Sequence, residues 1–162
     1  MFLRHFFVRP SVAGPEIDLK LKERIGPDRS IGSSESLVYG MCLSGKREMI
    51  GYVSLRLGES PGLYYLGHIG YRVEEGYRGH NFAAKAVHML LPLMRRMGLR
   101  TVVITTDTDN VPSRKTCEHL GCVLERITPV PPEFLGLCMM APAKCRYILS
   151  AAPGEPAEGV LE

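Results

Sequence analysis

The sequence lacks the long apolar runs, the cysteine pairs and the charge excess that mark several classes of protein. No apolar run approaches the roughly 20 residues that a membrane span requires, which argues against a membrane protein. The five cysteines are odd in number and include no Cys-x-x-Cys pair, so a reducing cytoplasm is expected rather than a disulfide framework. A net charge of only +3 argues against a dedicated nucleic-acid-binding protein.

Motifs of other enzyme classes are missing too. The histidines show no paired ligand spacing and no cysteine pair accompanies them, so no metal site is predicted. A Gly-x-Ser-x-Gly elbow is absent, which argues against a serine hydrolase, and so is the phosphate-binding loop of the ATPases. Residues 2–9 are too short and too interrupted for a signal peptide, and are predicted to form a strand.

What is present is the composition of an ordinary globular domain. The chain has 162 residues, of which 45% are hydrophobic and 23% charged, enough for one domain with a real core. We predict a domain over residues 1–150 and a disordered tail over residues 151–162. The tail has three glutamates and no lysine or arginine, so the domain itself is mildly basic, as expected for a protein that holds a polyanion.

The most informative stretch is residues 77–86, Tyr-Arg-Gly-His-Asn-Phe-Ala-Ala-Lys-Ala. A strand is predicted before it, over residues 64–73, and a helix after it, over residues 83–97, where apolar residues recur at helical spacing. The first N–H groups of a helix have no intrahelical partner, and the helix dipole favours negative charge there. This basic, glycine-bearing loop is therefore predicted to bind a phosphate or pyrophosphate.

The rest of the chain reads as an α/β domain. A short helix is predicted over residues 16–25, because Ile17, Leu21 and Ile25 share a helical face, and another after residue 110, ending at Gly121. We expect a kink at Pro92 in the main helix. Loops or turns are predicted over residues 26–36, 58–62 and 129–142. Further strands are predicted over residues 37–43, 49–57, 101–106, 122–128 and 145–150.

Three motifs in order resemble the Gcn5-related N-acetyltransferase (GNAT) superfamily. Arg78 and Ala83 fit the ends of its phosphate loop; Asn110, Ser113 and Gly121 fit its next segment. Residues 67–73, Gly-His-Ile-Gly-Tyr-Arg-Val, resemble the branch that acetylates ribosomal proteins and small molecules. The resemblance implies a single-domain α/β fold with a mixed, mostly antiparallel, bent sheet of about six to seven strands. Helices flank this sheet, and its two central strands splay apart.

The same resemblance implies an acetyl-CoA-dependent N-acetyltransferase that moves the acetyl group directly to a primary amine. The end of a splayed strand would bind the pantetheine arm, the loop would surround the pyrophosphate, and the next helix start would complete the site. The residues carried over for these contacts are Tyr71, Arg72, Val73, Arg78, Gly79, His80, Asn81, Phe82, Ala83, Ala84, Asn110, Ser113 and Lys115. Arg114 is an alternative to Lys115 at the ribose phosphate.

Asn81 replaces the middle glycine of the family's loop. That position is expected to need a positive φ, where glycine is easiest and asparagine the best-tolerated alternative. The loop is therefore expected to keep its shape, with a side chain added near the phosphates.

Two residues are candidates for proton transfer. Many members carry a tyrosine acid seven residues after the asparagine, where this chain has Cys117, which is either an acid or a small buried hydrophobe. His68, on the strand that leads to the loop, is the candidate base, because an imidazole suits proton removal from an ammonium group. The alternative is a histidine with a packing role.

The acceptor is left open between an amine-bearing small molecule and a protein N-terminus or lysine. The loops at residues 26–36 and 129–142, with the hairpin region at residues 46–56, are expected to contact it. Tyr39, Tyr52, Arg56, Tyr64 and Phe134 either line that pocket or belong to the core. A homodimer is an open option. The alternative functions are a non-catalytic acyl-CoA-binding module and a nucleotide-binding domain.

Overall fold

Residues 8–152 are described by the structure, a computed structural model. Within them the strands are β1 (Ser11–Val12), β2 (Ile17–Ile25), β3 (Glu35–Leu43), β4 (Met49–Leu57), β5 (Ile69–Val73), β6 (Thr101–Asp107), β7 (Val123–Pro129) and β8 (Ala143–Ser150). The α-helices are α1 (Pro61–Leu66), α2 (Phe82–Arg96) and α3 (Val111–His119). No helix in this part of the chain is both long and apolar enough to span a membrane.

The strands form one sheet in the order β1-β2-β3-β4-β5-β6-β8-β7. All neighbours are antiparallel except β5 and β6, which are parallel. This parallel pair shares a single register position, Ile69 opposite Ile104. The predicted α/β fold with a mixed, mostly antiparallel sheet is thus confirmed, with eight strands instead of six to seven.

The sheet has two unlike faces, because alternate residues of a strand point to opposite sides. On the helix face, α2 packs its buried residues against the strands in one core cluster. The cluster includes Leu37, Tyr39 and Met41 of β3, Val53 and Leu55 of β4, and Ala86, Val87, Leu90 and Met94 of α2. The opposite side, here called the loop face, carries Ser54 and Arg56 of β4 beside Gly70 of β5.

The helix predicted over residues 16–25 is wrong, because this segment is strand β2. A spacing of four residues between apolar positions suits both a helix and a strand. Leu19, which lies between Ile17 and Leu21, shows that this segment is a strand. Ile17 and Leu19 are both buried and pair with Leu43 and Met41 of β3. That is a period of two, as in a strand with one buried face.

The strand predicted over residues 64–73 is correct only from Ile69, because α1 occupies its first part and the end of the predicted turn. Ser60 caps this helix by accepting a hydrogen bond from the Leu63 N–H at 3.0 Å, and Pro61 follows at the first helical position. Gly67, with φ of 80°, ends it.

Other predicted elements agree with the structure within two residues, and β4 agrees residue for residue. The main helix stays helical through Pro92. The strand predicted over residues 2–9 lies outside the described residues except for Val8 and Arg9, which are not in a strand. The tail predicted over residues 151–162 also lies outside them, apart from Ala151 and Ala152.

Candidate functional site

A gap opens between β5 and β6 beyond their one shared register position. On the N-terminal side of that position, the His68 N–H donates to the Val103 carbonyl at 2.8 Å. On its C-terminal side, residues 70–73 pair only with β4, and β6 pairs only with β8. Backbone groups of alternate residues point to the same side of a strand, so those of Tyr71 and Val73 face the gap as those of Ile69 face β6. The gap is therefore bordered by backbone donors and acceptors that have no strand partner.

The strand that borders the gap on its other side carries a buried hydroxyl, on the face that also holds Val102 and Ile104. Extending the parallel register from Ile69 and Ile104 places Thr106 of β6 at the level of Tyr71. Thr106 is 3% exposed, and its Oγ1 has no hydrogen-bond partner among the described residues. A buried polar atom without a partner is costly, so its position beside the gap is consistent with a polar ligand there.

The loop at residues 77–81 ends where α2 begins, at the rim of this gap. Asn81 has φ of 58° and ψ of 28°, which confirms the positive φ expected where the family has glycine. The first helical hydrogen bond runs from the Lys85 N–H to the Asn81 carbonyl at 3.0 Å, so the N–H groups of Phe82, Ala83 and Ala84 have no intrahelical acceptor. The Asn81 side chain makes no capping bond, which leaves these donors available.

Side chains tie the loop to β5 and to α2. Arg78 Nε donates to the Val73 carbonyl at 2.9 Å, at the end of β5. Lys85 Nζ donates to the His80 carbonyl at 2.9 Å and forms an ion pair with Glu16 at 2.6 Å. The loop and the gap thus form one continuous site with a basic rim. Gly79, with φ of 90°, makes the turn between them.

A cavity of about 530 Å³ continues from the loop along α2. Asn81, Ala84 and His88 line it from the α2 side, and His119 and Leu120 from the end of α3. Its position extends the site beside residues 77–81 into a groove whose volume lies in the range of small-molecule pockets.

The start of α3 meets β5 beside the gap. Asn110 caps this helix by accepting from the Ser113 N–H at 3.1 Å. The Ser113 hydroxyl lies 2.7 Å from the Tyr71 hydroxyl, so Asn110, Ser113 and Tyr71 are brought together. Arg114 is engaged elsewhere, because its Nε donates to the Tyr147 hydroxyl at 3.0 Å. Lys115 is exposed on the same turn.

His68 lies at the closed end of the gap, with both ring nitrogens turned to the backbone. Nδ1 accepts from the Val103 N–H at 3.0 Å, so the ring proton belongs on Nε2, which lies 3.1 Å from the Gly58 carbonyl. Glu59 Oε1 is 3.3 Å from the same nitrogen. The only lone pair of this neutral ring is already used, so the structure does not support His68 as a base.

Cys117 is fully buried in the core cluster. A hydrogen bond with the Cys122 thiol, together with burial, raises the pKa of Cys117. Burial also raises the pKa of Tyr71, whose hydroxyl lies 2.7 Å from the Ser113 hydroxyl at the start of α3. Proton donation to a thiolate with a pKa of roughly 8.5 becomes less favourable as the donor's pKa rises, so neither group is suited to that role. The geometry supports the alternative reading of Cys117 as a small buried hydrophobe.

The loops expected to contact an acceptor converge on the loop face. The Ser60 hydroxyl donates to the Ile31 carbonyl at 3.2 Å, which joins α1 to the loop at residues 26–34. Tyr65 of α1 stacks on Phe134 at 5.3 Å between ring centroids, which joins it to the loop at residues 130–142. Tyr39, by contrast, is fully buried on the helix face and belongs to the core.

Similar structures are numerous, although no curated protein matches the chain. A probable GNAT-family acetyltransferase from Chromobacterium violaceum ATCC 12472 has a TM-score of 0.63 at 13% identity, covering 89% of this chain and 87% of that one. The ribosomal-protein-S5-alanine acetyltransferase from Vibrio fischeri has a TM-score of 0.57 at 18% identity, covering 75% and 64%. The microcin C7 self-immunity acetyltransferase MccE, solved with acetyl-CoA and AMP, has a TM-score of 0.54 at 20% identity, covering 71% and 61%.

These identities show a shared fold, and this chain spans less than two thirds of the last two proteins. The family evidence is separate: the family model described as an acetyltransferase (GNAT) domain matches residues 16–123. That match contains the gap, the loop and the start of α3. The chain therefore belongs to the GNAT acetyltransferase family.

Proposed function

We propose that this protein transfers an acetyl group from acetyl-CoA to the primary amine of a small molecule or a protein. The observation that carries the proposal is that a helix start, whose first three N–H groups have no acceptor among the described residues, adjoins a gap where the backbone of β5 has no strand partner. Because the chain belongs to the GNAT family, we assign the helix start and the gap to one ligand, acetyl-CoA. We assign the activity to the domain over residues 1–150.

The residues present fit acetyl-CoA. The loop from Arg78 to Ala84 would hold the pyrophosphate through backbone N–H groups, aided by the helix dipole. The backbone groups of Tyr71 and the N–H of Val73, whose carbonyl already accepts from Arg78, would hold the amide-bearing pantetheine arm together with the Thr106 hydroxyl. The groove beside His88 and His119 would take the adenosine end. Acetyl-CoA supplies the reaction with an activated acetyl thioester.

The chain contributes mainly position and binding to the transfer. A nitrogen–carbon bond forms as the carbon–sulfur bond breaks, and the amine loses a proton while the sulfur leaves as a thiolate. Because His68 has no free lone pair and Cys117 is buried, we assign neither a proton-transfer role. In the absence of a base from the chain, the acceptor's ammonium group loses its proton to water before the attack. The rate is therefore expected to rise with pH up to the pKa of the acceptor amine.

Two variants, Tyr71→Phe and Cys117→Ala, test whether either side chain donates a proton to the leaving thiolate. Tyr71→Phe and Cys117→Ala are each expected to leave kcat within a few-fold, because the pKa of each group is raised. Steady-state release of CoA thiol, followed from pH 6 to 9, is the measurement. A loss of a hundredfold or more in either variant, with the folded state preserved, would make that residue the acid.

Calorimetric titration of the purified protein with acetyl-CoA, and separately with ATP, tests the proposal itself. Micromolar binding of acetyl-CoA without ATP binding is expected. Absence of acetyl-CoA binding would refute it, and preferential ATP binding would favour a nucleotide-binding domain. Binding without CoA release across a broad amine panel would favour the non-catalytic module.

We also place the protein in the cytoplasm. The five cysteines are free, as expected in a reducing compartment.

A further inference from the structure

Arg56 of β4 holds its guanidinium against the first residues of β5 on the loop face. Nη1 donates to the Gly67 carbonyl at 3.2 Å. A Cβ atom added to Gly70 would lie only 2.7 Å from Nη2, so the guanidinium fills the space that a side chain at position 70 would take. Gly70 is the residue at which β5 leaves its pairing with β6. The charge therefore lies beside the closed end of the gap.

This guanidinium has no carboxylate partner among the described residues. Two other cations of the same face do: Arg146 pairs with Glu125 at 2.8 Å, and Lys144 with Asp107 at 2.5 Å. The carboxylate nearest along the chain, Glu59, is turned to His68 instead. Arg56 is half-buried, and burial lowers its pKa, because removing the charged guanidinium from water costs free energy.

A cavity adjoins this charge. It measures about 260 Å³ and is lined by Arg56, Ser34, Glu59 and His68, with Met97 and Val102 as apolar wall. At roughly 30 Å³ of liquid per water molecule, this volume suits a ligand of amino-acid size. It lies at the end of β5 opposite the phosphate loop, and Arg56 connects it to Gly70, where β5 parts from β6.

We propose that Arg56 binds an oxyanionic group of the acceptor, which makes the acceptor a small amine that also carries a carboxylate or a phosphate. The inference rests on the proposed acetyl transfer. A guanidinium forms paired, parallel hydrogen bonds with both groups, and only one of its five N–H donors has an acceptor among residues 8–152. The amine of a protein N-terminus is followed by a neutral amide, which would leave Arg56 without its partner.

Matched amine pairs test this proposal: L-alanine with L-alaninamide, L-glutamate with its diamide, and phosphoethanolamine with ethanolamine. Binding of each to the CoA-saturated protein is measured by ligand-observed NMR, and turnover with acetyl-CoA by release of CoA thiol. At least one oxyanionic member is expected to bind about ten- to a hundredfold more tightly than its neutral partner, as hydrogen bonds to a charged group allow. The pair that shows it separates carboxylate from phosphate.

Arg56→Gln is expected to abolish this preference by raising KM, with acetyl-CoA affinity unchanged, and Arg56→Lys to restore part of it. Arg126→Gln, which removes an exposed arginine from β7, is the matched control and should keep it. Equal binding of both members of every pair, no binding of any oxyanionic member, or a preference that survives Arg56→Gln would each overturn the inference while CoA still binds. Failure to bind acetyl-CoA would instead refute the proposed function, and this inference with it.

Discussion

Replacing Asn81 by aspartate is expected to move folding stability and cofactor affinity in opposite directions. The two side chains have nearly the same shape, and both tolerate the left-handed backbone conformation that Asn81 adopts. The change therefore adds one negative charge and little else. That charge stands at the N-cap of α2, before three N–H groups without an intrahelical acceptor.

Without a ligand, the added charge meets the positive end of the helix dipole. Such a carboxylate stabilises a helix by about 0.3–1 kcal/mol, so Asn81→Asp is expected to be as stable as the parent protein or slightly more stable. With a pyrophosphate bound at the same N–H groups, like charges meet. At a separation of about 6 Å and an effective dielectric constant of about 20, two unit charges repel by about 3 kcal/mol. Physiological salt screens part of this repulsion, which leaves a ten- to hundredfold loss of acetyl-CoA affinity.

Calorimetric titration with acetyl-CoA at two salt concentrations, together with urea unfolding of the free protein, measures both effects. Asn81→Gly is the control, because it keeps the backbone conformation without charge and should bind acetyl-CoA at least as tightly as the parent. The loss in Asn81→Asp should shrink as salt increases. If Asn81→Asp were as stable as the parent and bound acetyl-CoA equally well, the start of α2 would not be the pyrophosphate site.

Two further predictions concern the described fold. Hydrogen bonds from the N–H groups of Gly45 and Gly14 lower the pKa of Asp18, so its contribution to stability is present above the ordinary value near 3.8 and lost as the pH falls through the lowered pKa. Asp18→Asn should thus be less stable than the parent at pH 7, by urea unfolding, with the difference disappearing near pH 2; a constant difference would contradict it. A hydrogen bond from Cys117 lowers the pKa of Cys122, which is also the one cysteine that is not buried. Cys122 should be alkylated first by iodoacetamide in mass spectrometry and more slowly in Cys117→Ala; earlier alkylation of another cysteine would be evidence against this.

Local sequence predicted the elements whose signal is repeated within one segment. Strand β4 and helix α2 have several apolar positions at one unambiguous spacing, and both lie where predicted. The segment over residues 16–25 offered three positions at a spacing of four, which suits a helix and a strand equally. Its partner strand, β3, decided the outcome through pairing that begins with Ile17 opposite Leu43. Such pairing joins distant residues and leaves no local signal.

The candidate site divides in the same way. The backbone conformation of Asn81 was predictable, because few residues tolerate a positive φ and the position is tied to one loop. The contact between the Tyr71 and Ser113 hydroxyls was not, since it joins residues 42 apart in the chain. The sequence marks Arg56 only as a possible pocket residue, because its lack of a carboxylate partner among residues 8–152 is visible only in three dimensions.

His68 joins β5 to β6 at the point just before the two strands diverge. A parallel pair with one register position has little ladder to stabilise it. The His68 backbone N–H adds one hydrogen bond to Val103, and the His68 ring adds a second by accepting from the Val103 N–H. The ring thereby replaces a strand carbonyl and keeps β5 joined to β6 just before they diverge. The residue that resembles a base in sequence instead holds the closed end of the gap, which leaves the open end free for a ligand.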